Sequence, residues 1–299
     1  MTIRHVLGDW GTSRLRLFLF ADGGLVDRRD GPGIGALDRP ARTVLAEHLA
    51  PWQQDGPIDT VTLCGMAGAR GGLVEAGYVA CPAGVEAWRG QATWLEVDGS
   101  RIAVLPGLRS PASAPVPDIM RGEETQIFGA FALDPALARG VHRLVLPGTH
   151  SKWVRVEDGT VRDFRTFPTG EVYALLSRRS TLAGPQTAAT GTEDDPDGFA
   201  HGLARSDEPV LGALFEARAG QLLDGRSPDW ARAYLSGLLI GAEVTAQALV
   251  DDGSEIVLIG DPMLCDRYAR ALAARGRRSR TLDGETTVLA GLALGRNTP

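Results

Sequence analysis

Gly8-Asp9-Trp10-Gly11-Thr12-Ser13, followed at once by Arg14-Leu15-Arg16-Leu17-Phe18-Leu19-Phe20 and the turn Asp22-Gly23-Gly24, is the stretch that decides the fold. Val6 and Leu7 lead in as a short apolar run, and Asp9 places a carboxylate where that run stops. Gly11 lets the backbone turn without a Cβ penalty, so the N–H groups of Gly11, Thr12 and Ser13 are expected to point together at one small anion, as phosphate-binding nests do. Leu15, Leu17 and Leu19 then alternate with Arg14 and Arg16. That is the period of a strand rather than a helix, and Asp-Gly predicts a tight return. An ordinary hairpin, with Asp9 satisfying local N–H groups, would carry the same local sequence.

A second copy separates the two readings. Leu146-Pro147-Gly148-Thr149-His150-Ser151-Lys152 runs into Trp153-Val154-Arg155-Val156, an Asp158-Gly159 turn and the returning Val161-Arg162-Asp163-Phe164-Arg165. Apolar lead, Gly-Thr turn, alternating strand and Asp-Gly hairpin recur in the same order, with one residue fewer between Gly-Thr and Asp-Gly. Such self-similarity implies two related halves, each offering a Gly-Thr loop to a phosphate.

The 299 residues suffice for one large domain or two ordinary ones, and the repeat favours two. An apolar content of 43% with 23% charged residues is that of a well-packed globular protein. The longest apolar stretch, Leu235 to Val250, is broken by Gly237, Gly241 and Glu243, so no membrane span is expected. Met1-Thr2-Ile3-Arg4-His5 leads straight into strand-like sequence without a basic-then-apolar leader, and a cytoplasmic protein is expected. Cys64, Cys81 and Cys265 show neither disulfide nor zinc spacing and are expected as buried free thiols. The five histidines fall singly. A net charge of −6 argues against nucleic acid as a partner, so an anionic substrate must be drawn in by local arginines and lysines.

Along the chain, Gly31 to Gly35 is expected as loop and Leu37 to Leu49 as a packing helix. Thr60 to Leu63 predicts a strand that runs into the glycine-rich loop Cys64-Gly65-Met66-Ala67-Gly68-Ala69-Arg70-Gly71-Gly72. A loop of this kind after a strand is where α/β proteins place ligands, and Arg70 among small residues can meet a carboxylate bidentately. A flexible connector is the plainer alternative. Ser100 to Leu105 reads as strand and Pro106 to Pro117 as loop, after which Asp118 to Gln126 opens a helix reaching Leu133. Glu123 and Glu124 at its start either complement the helix dipole or do chemistry. Their side chains point about 100° apart, so at most one of them serves a given ligand.

Gly129-Ala130-Phe131-Ala132 and Ala290-Gly291-Leu292-Ala293-Leu294-Gly295 are small-residue helices, suited either to a hinge or to close packing. Val172 to Arg179 is expected as helix, Gly191 to Gly198 as a solvated acidic loop, and Ser227-Pro228 as the capped start of a long helix carrying Gly237 and Gly241. Glu255 to Ile259 predicts a buried strand ending in Gly260-Asp261-Pro262, with a helix over Met263 to Arg275. A late strand, glycine turn and helix suit a nucleotide base or ribose.

Together these features resemble the actin-like ATPase and sugar-kinase superfamily. Asp9 to Ser13, Met120-Arg121-Gly122-Glu123-Glu124-Thr125-Gln126, Pro147 to Val154, Asp163 to Thr166, Thr169-Gly170-Glu171 and Leu235 to Glu243 are similar, in order, to the signature blocks of 2-dehydro-3-deoxygalactonokinases. The resemblance implies a two-lobed ribonuclease H-like α/β fold with a duplicated hairpin-bearing domain and an interlobe ATP cleft. The expected lobes are 1–125 and 126–284, with 285–299 a C-terminal helix returning to the lobe interface. It further implies Mg²⁺-dependent transfer of the ATP γ-phosphoryl to the 6-hydroxyl of a 2-dehydro-3-deoxy sugar acid, galactonate above all.

On that resemblance Asp9 would hold Mg²⁺ through water. Backbone N–H groups of Gly11, Thr12 and Ser13, and of Gly148 and Thr149, would hold the phosphates, His150 or Lys152 would add charge, and Gly260 would face the adenosine. Glu123 is the expected base with Glu124 the alternate, and Arg70, Gly68 and Arg121 are expected at the sugar acid. Lys152 could equally be a salt-bridged surface residue. Leu73, Gly77 and Ala69 depart from the tryptophan, proline and serine usual in the family, so the loop from Gly65 to Gly77 governs which sugar acid is used. ATP and a small anionic sugar acid are the implied partners, with a homodimer left open. A nucleotide-gated binding protein and a phosphohydrolase are the competing functions.

Overall fold

In the computed structural model, residues 3–184, 195–248 and 255–296 are described. They fall into two compact units, unit 1 within 1–141, 154–164 and 284–299 and unit 2 within 142–153 and 165–283.

Unit 1 opens with β1 (Arg4–Trp10), β2 (Arg14–Ala21) and β3 (Gly24–Pro32), then α1 (Ala41–Gln54) and β4 (Thr60–Gly65). After β5 (Tyr78–Ala80), β6 (Ala83–Gly84) and α2 (Val85–Arg89) come β7 (Thr93–Val97), β8 (Ser100–Val104), β9 (Gly107–Arg109), β10 (Ile119–Met120) and α3 (Glu123–Leu133). The main sheet has the order β3-β2-β1-β4-β8-β7, and a small one runs β10-β9-β5. β1, β4 and β8 are parallel, with β2 antiparallel to β1. Asp22 and Gly23 both take positive φ, +49° and +86°, the conformation that closes the expected hairpin. The alternation read from the sequence is the buried face: Leu15, Leu17 and Leu19 are at most 2% exposed and pack with Val44, Leu45, Leu49 and Trp52 of α1.

Unit 2 contains β11 (Val141–Leu146) and the hairpin β12 (Ser151–Glu157) and β13 (Thr160–Phe167), followed by α4 (Thr169–Arg179), α5 (Pro196–Ala204), α6 (Val210–Ala213) and α7 (Glu216–Leu223). Then come α8 (Pro228–Ala248), β14 (Ile256–Gly260), α9 (Pro262–Ala274) and β15 (Ser279–Asp283), while the last helix, α10 (Gly284–Arg296), belongs to unit 1. The outer part of the second hairpin, 154–164, also groups with unit 1, where Thr160 and Val161 pair with Gly84 and Ala83. The strand order β13-β12-β11-β14-β15 repeats the β3-β2-β1-β4-β8 order of the first sheet. The duplication read from two Gly-Thr hairpins therefore extends to the topology.

Several boundaries differ from the sequence expectation. The first helix starts at Ala41, because Pro40 occupies its N-cap, and runs on to Gln54. The helix expected from Asp118 begins only at Glu123. Gly122 at φ +107° breaks the chain there, and Ile119–Met120 pairs with Leu108 and Arg109 inside the stretch expected as loop. The helix expected from Val172 begins at Thr169. Of the expected acidic loop, residues 191–194 lie outside the described residues, while Asp195 caps α5 through Gly198 N–H. Ser227 caps α8 as expected, accepting Trp230 N–H at 3.0 Å, and Gly237 and Gly241 face α5. Cys64, Cys81 and Cys265 are buried and free. Among the described residues no helix is long and apolar enough to cross a membrane.

α3 and α10 pack on each other inside unit 1. A Cβ at Gly129 would lie 1.9 Å from Thr287 O, and one at Gly291 1.9 Å from Thr125 O. The small-residue pair thus serves backbone-to-backbone packing, which fixes the helix that begins at Glu123.

Candidate functional site

In unit 1, antiparallel pairing sets Asp9 opposite Arg16, and their side chains meet at 2.5 Å between Arg16 Nη2 and Asp9 Oδ2. Arg16 also reaches Glu285 at 3.3 Å, and Glu285 is held in turn by Arg28 at 3.2 Å. Parallel pairing puts Cys64 beside Asp9, and the thiol donates weakly to Asp9 Oδ1 at 3.8 Å. Asp9 is therefore anchored through one oxygen and lightly engaged through the other.

The turn after Asp9 departs from expectation at one residue. Gly11 N–H is spent on Arg14 O at 2.9 Å, closing the turn, so it is not available to an anion. The N–H groups of Thr12 and Ser13 have no acceptor among the described residues. Their loop is backed by a segment expected only as loop: Ile34 and Gly35 N–H donate to Gly11 O and Thr12 O. Gly33 packs so closely that a Cβ would lie 2.3 Å from Thr12 O.

The two carboxylates at the start of α3 have different surroundings. Glu123 is half-buried, and its Oε2 accepts Arg121 N–H at 3.0 Å. Glu124 is wholly buried, and both of its oxygens accept Gly122 N–H, at 2.9 and 2.8 Å. Burial, reinforced by the Glu123 charge, pushes the Glu124 carboxyl up to about 8. The Cys64 thiol is likewise driven well up, by burial first and then by the charges of Asp9 and Glu124. Asp9, Cys64 and Glu124 thus form one buried-edge cluster.

The glycine-rich loop contains one short turn of 3-10 helix, Met66–Gly68. Arg70 stands exposed on it without a hydrogen bond or ion pair among the described residues. Arg121 is committed differently: it donates to Ala76 O at 2.6 Å and Tyr78 Oη at 3.3 Å and stacks on the Tyr78 ring at 4.2 Å. Its Nη1 is buried without a hydrogen bond, over Gly68, where a Cβ would sit 2.6 Å away. Gly68 therefore makes room for the guanidinium that clamps the loop.

In unit 2, the N–H groups of Gly148 and Thr149 have no acceptor among the described residues, while Thr149 O accepts Glu171 N–H at 2.9 Å. His150 Nε2 pairs with Glu171 at 2.7 Å on the surface. Lys152 is not a surface residue: it is 3% exposed, and its Nζ donates to His150 O. A cavity of about 270 Å³ opens beside the Gly148-Thr149 turn. The start of α4 lines it with Thr169 and Gly170, α8 with Ile240, and α9 with Arg267 and Tyr268. Gly260 is not in its lining and packs instead on the Pro147 turn, with a Cβ position 3.5 Å from Pro147 O. The helix after Gly260, α9, lines the cavity through Leu264, Arg267 and Tyr268.

Behind this cavity lies Glu243, 3% exposed, which the sequence reading placed at the end of one signature block and as an interruption of an apolar run, without a role. It accepts from Ser151 at 2.6 Å, Trp153 Nε1 at 2.7 Å, Tyr268 at 2.8 Å and, at short range, Thr169. A lone glutamate inside the mostly apolar run from Leu235 of α8 was the available signal, because an ionisable side chain is buried only when it is paired or hydrogen-bonded. Burial raises its pKa, and the four donors oppose that rise.

A family model described as 2-keto-3-deoxy-galactonokinase matches residues 9–294. The chain is 40% identical over 293 residues to a probable 2-dehydro-3-deoxygalactonokinase of Rhizobium meliloti (strain 1021), covering 95% of this chain and 94% of that protein. It is 34% identical over 300 residues to the 2-dehydro-3-deoxygalactonokinase of Escherichia coli (strain K12), covering 98% and 97%. A crystal structure from Sinorhizobium meliloti, of a protein named for the same activity, superposes with a TM-score of 0.87 at 37% identity, covering 98% and 95%.

Proposed function

We propose, because this chain belongs to the 2-keto-3-deoxy-galactonokinase family, that it transfers the γ-phosphoryl of ATP to the 6-hydroxyl of 2-dehydro-3-deoxy-galactonate. The observation that carries the reading is the pair of Gly-Thr turns at equivalent strand ends, each with N–H groups that meet no acceptor among the described residues. Unpaired N–H groups at a turn are made for phosphate oxygens. Phosphoryl transfer needs such positioning and charge neutralisation more than covalent chemistry.

In unit 2 the nucleoside occupies the cavity beside Gly148 and Thr149, whose N–H groups take phosphate oxygens. In unit 1 the N–H groups of Thr12 and Ser13 do the same. Glu123 is the base that accepts the hydroxyl proton: its carboxylate is half-buried at a helix start and reachable. Glu124, beside Glu123 at the same helix start, is the second reading; its wholly buried carboxyl, pushed up to about 8, would have to release a proton at neutral pH before it could accept one. Arg70, exposed and without a hydrogen bond or ion pair among the described residues, takes the sugar-acid carboxylate, while Arg121 holds the loop in shape.

The residues present fit Mg²⁺. Asp9 Oδ1 is a hard oxygen engaged only by a thiol, and no group of three protein ligands exists among the described residues. Magnesium is commonly held by one or two carboxylates, with water and nucleotide phosphates completing its shell. Bound with ATP, it would neutralise phosphate charge.

A coupled ADP assay across a panel of 2-dehydro-3-deoxy sugar acids tests the proposal. ADP release dependent on the galactonate derivative is expected. Release independent of any sugar acid would make the chain a phosphohydrolase, and no release would leave a nucleotide-binding protein.

A further inference from the structure

We infer that Glu243 sets the hydrogen-bond polarity of the unit 2 cavity, fixing Thr169 as an acceptor that selects a nucleoside through one of its N–H or O–H donors. This rests on the assignment of that cavity to the nucleoside. Glu243 acts through Thr169 and is a positioning residue.

A carboxylate only accepts, and all of its acceptor sites are used. Trp153 Nε1 and Ser151 Oγ donate to Oε1, and Thr169 Oγ1 and Tyr268 Oη donate to Oε2. Ser151, Tyr268 and Glu243 are at most 3% exposed, which leaves no room for water to rearrange the set. A hydroxyl has one proton and two lone pairs. Thr169 lines the cavity, and its proton is committed to Glu243, so a ligand meets only its lone pairs. Phosphate oxygens gain nothing from such a group and are left to the N–H groups of Gly148 and Thr149. A nucleoside offers the complementary donors, the ribose hydroxyls and the adenine 6-amino group. The opposed polarities of Thr169 and the Gly148-Thr149 turn therefore orient the nucleotide within the unit.

Glu243→Gln separates this role from packing. Trp153 Nε1 can only donate, so in the variant the amide oxygen must face it and the amide NH₂ must face Thr169 and Tyr268. Thr169 then accepts from that NH₂ group and turns its own proton toward the cavity. The shape survives while the polarity inverts.

The test measures dissociation constants of ATP, 2′,3′-dideoxy-ATP and inosine triphosphate by calorimetry for the wild type, Glu243→Gln and Thr169→Val, with KM and kcat alongside. In the wild type one analogue should bind roughly tenfold more weakly than ATP, the size of one hydrogen bond. The dideoxy compound suffers if the donor is a ribose hydroxyl, and inosine triphosphate if it is the amino group. Both variants should discriminate within about twofold, with KM for ATP moving more than kcat. Thr169→Val leaves Glu243 in place and reads the same contact if Glu243→Gln folds poorly. Ile240→Trp, which fills the cavity, should abolish tight ATP binding. If it does not, the cavity assignment fails and the inference with it. If it does, but Glu243→Gln and Thr169→Val discriminate as the wild type does, the inference alone is overturned. Equal binding of all three nucleotides to the wild type overturns it as well.

Discussion

Replacing Gly129 by alanine probes the frame that holds the α3 carboxylates. The added Cβ would fall 1.9 Å from Thr287 O and 2.6 Å from Gly291 N. An unstrained carbon–oxygen contact lies at about 3.3–3.6 Å, so α3 and α10 must separate by more than ~1 Å. Sliding offers no relief, because Gly291 meets Thr125 O equally closely from the other side. In a solvent-exposed helix the same change would stabilise by about 0.8–1 kcal/mol. Here overpacking costs typically about 1–3 kcal/mol, and a clash with backbone rather than side chain belongs at or above the top of that range. A net loss of ~2 kcal/mol should appear as a lower urea midpoint at unchanged slope. Because α3 begins at Glu123, the same shift displaces the proposed base, and a displacement of about 1 Å can cost on the order of 10² in turnover. An alanine variant as stable as the wild type, or more so, would refute the close crossing and with it the account of how the carboxylates are fixed.

Glu123→Gln should lower kcat by about 10²–10⁴ while leaving nucleotide affinity unchanged; near-normal turnover, together with a collapse in Glu124→Gln, would transfer the role to Glu124. Arg70→Ala should raise the sugar-acid KM by at least about tenfold without changing KM for ATP, and an unchanged sugar-acid KM removes Arg70 from the site. For Asp9→Asn, Mn²⁺ binding in the presence of ADP, followed by electron paramagnetic resonance, should weaken by more than about tenfold; wild-type binding would exclude Asp9 as the metal-facing carboxylate. Glu124 makes stability depend on pH: its carboxyl stands near 8 when folded against 4.5 as the ordinary value. The folded chain therefore keeps a proton that the unfolded chain releases, and the associated stability is present below the lower value and lost as pH rises through the upper one. Urea midpoints from about pH 5 to about pH 9 should fall more steeply for the wild type than for Glu124→Gln, and parallel curves would contradict the buried, protonated carboxyl.

The hairpins were legible because everything that makes them is local. Leu15, Leu17 and Leu19 alternate with arginines, Asp22-Gly23 accepts positive φ, and the same grammar recurs from Leu146 to Arg165. The helix starts were less so: Gly122 looked like part of a helix opening, and only its φ of +107° shows that it ends one segment and begins another. Lys152 follows a surface-like turn in sequence yet is buried in the second unit.

From the sequence alone come the duplicated α/β plan, the two Gly-Thr turns, the glycine-rich loop with its lone arginine, and the carboxylate pair at a helix start. These follow from short-range periodicity and turn chemistry, which neighbouring residues settle among themselves. Tertiary structure decides what those groups meet. Register sets Arg16 and Cys64 against Asp9, Glu124 is wholly buried while its neighbour Glu123 is half-buried, and side chains from three elements, β12, α4 and α9, converge on Glu243. Residues tens of positions apart are brought together by burial of the whole core, and the charge state and polarity of a side chain are set by that company.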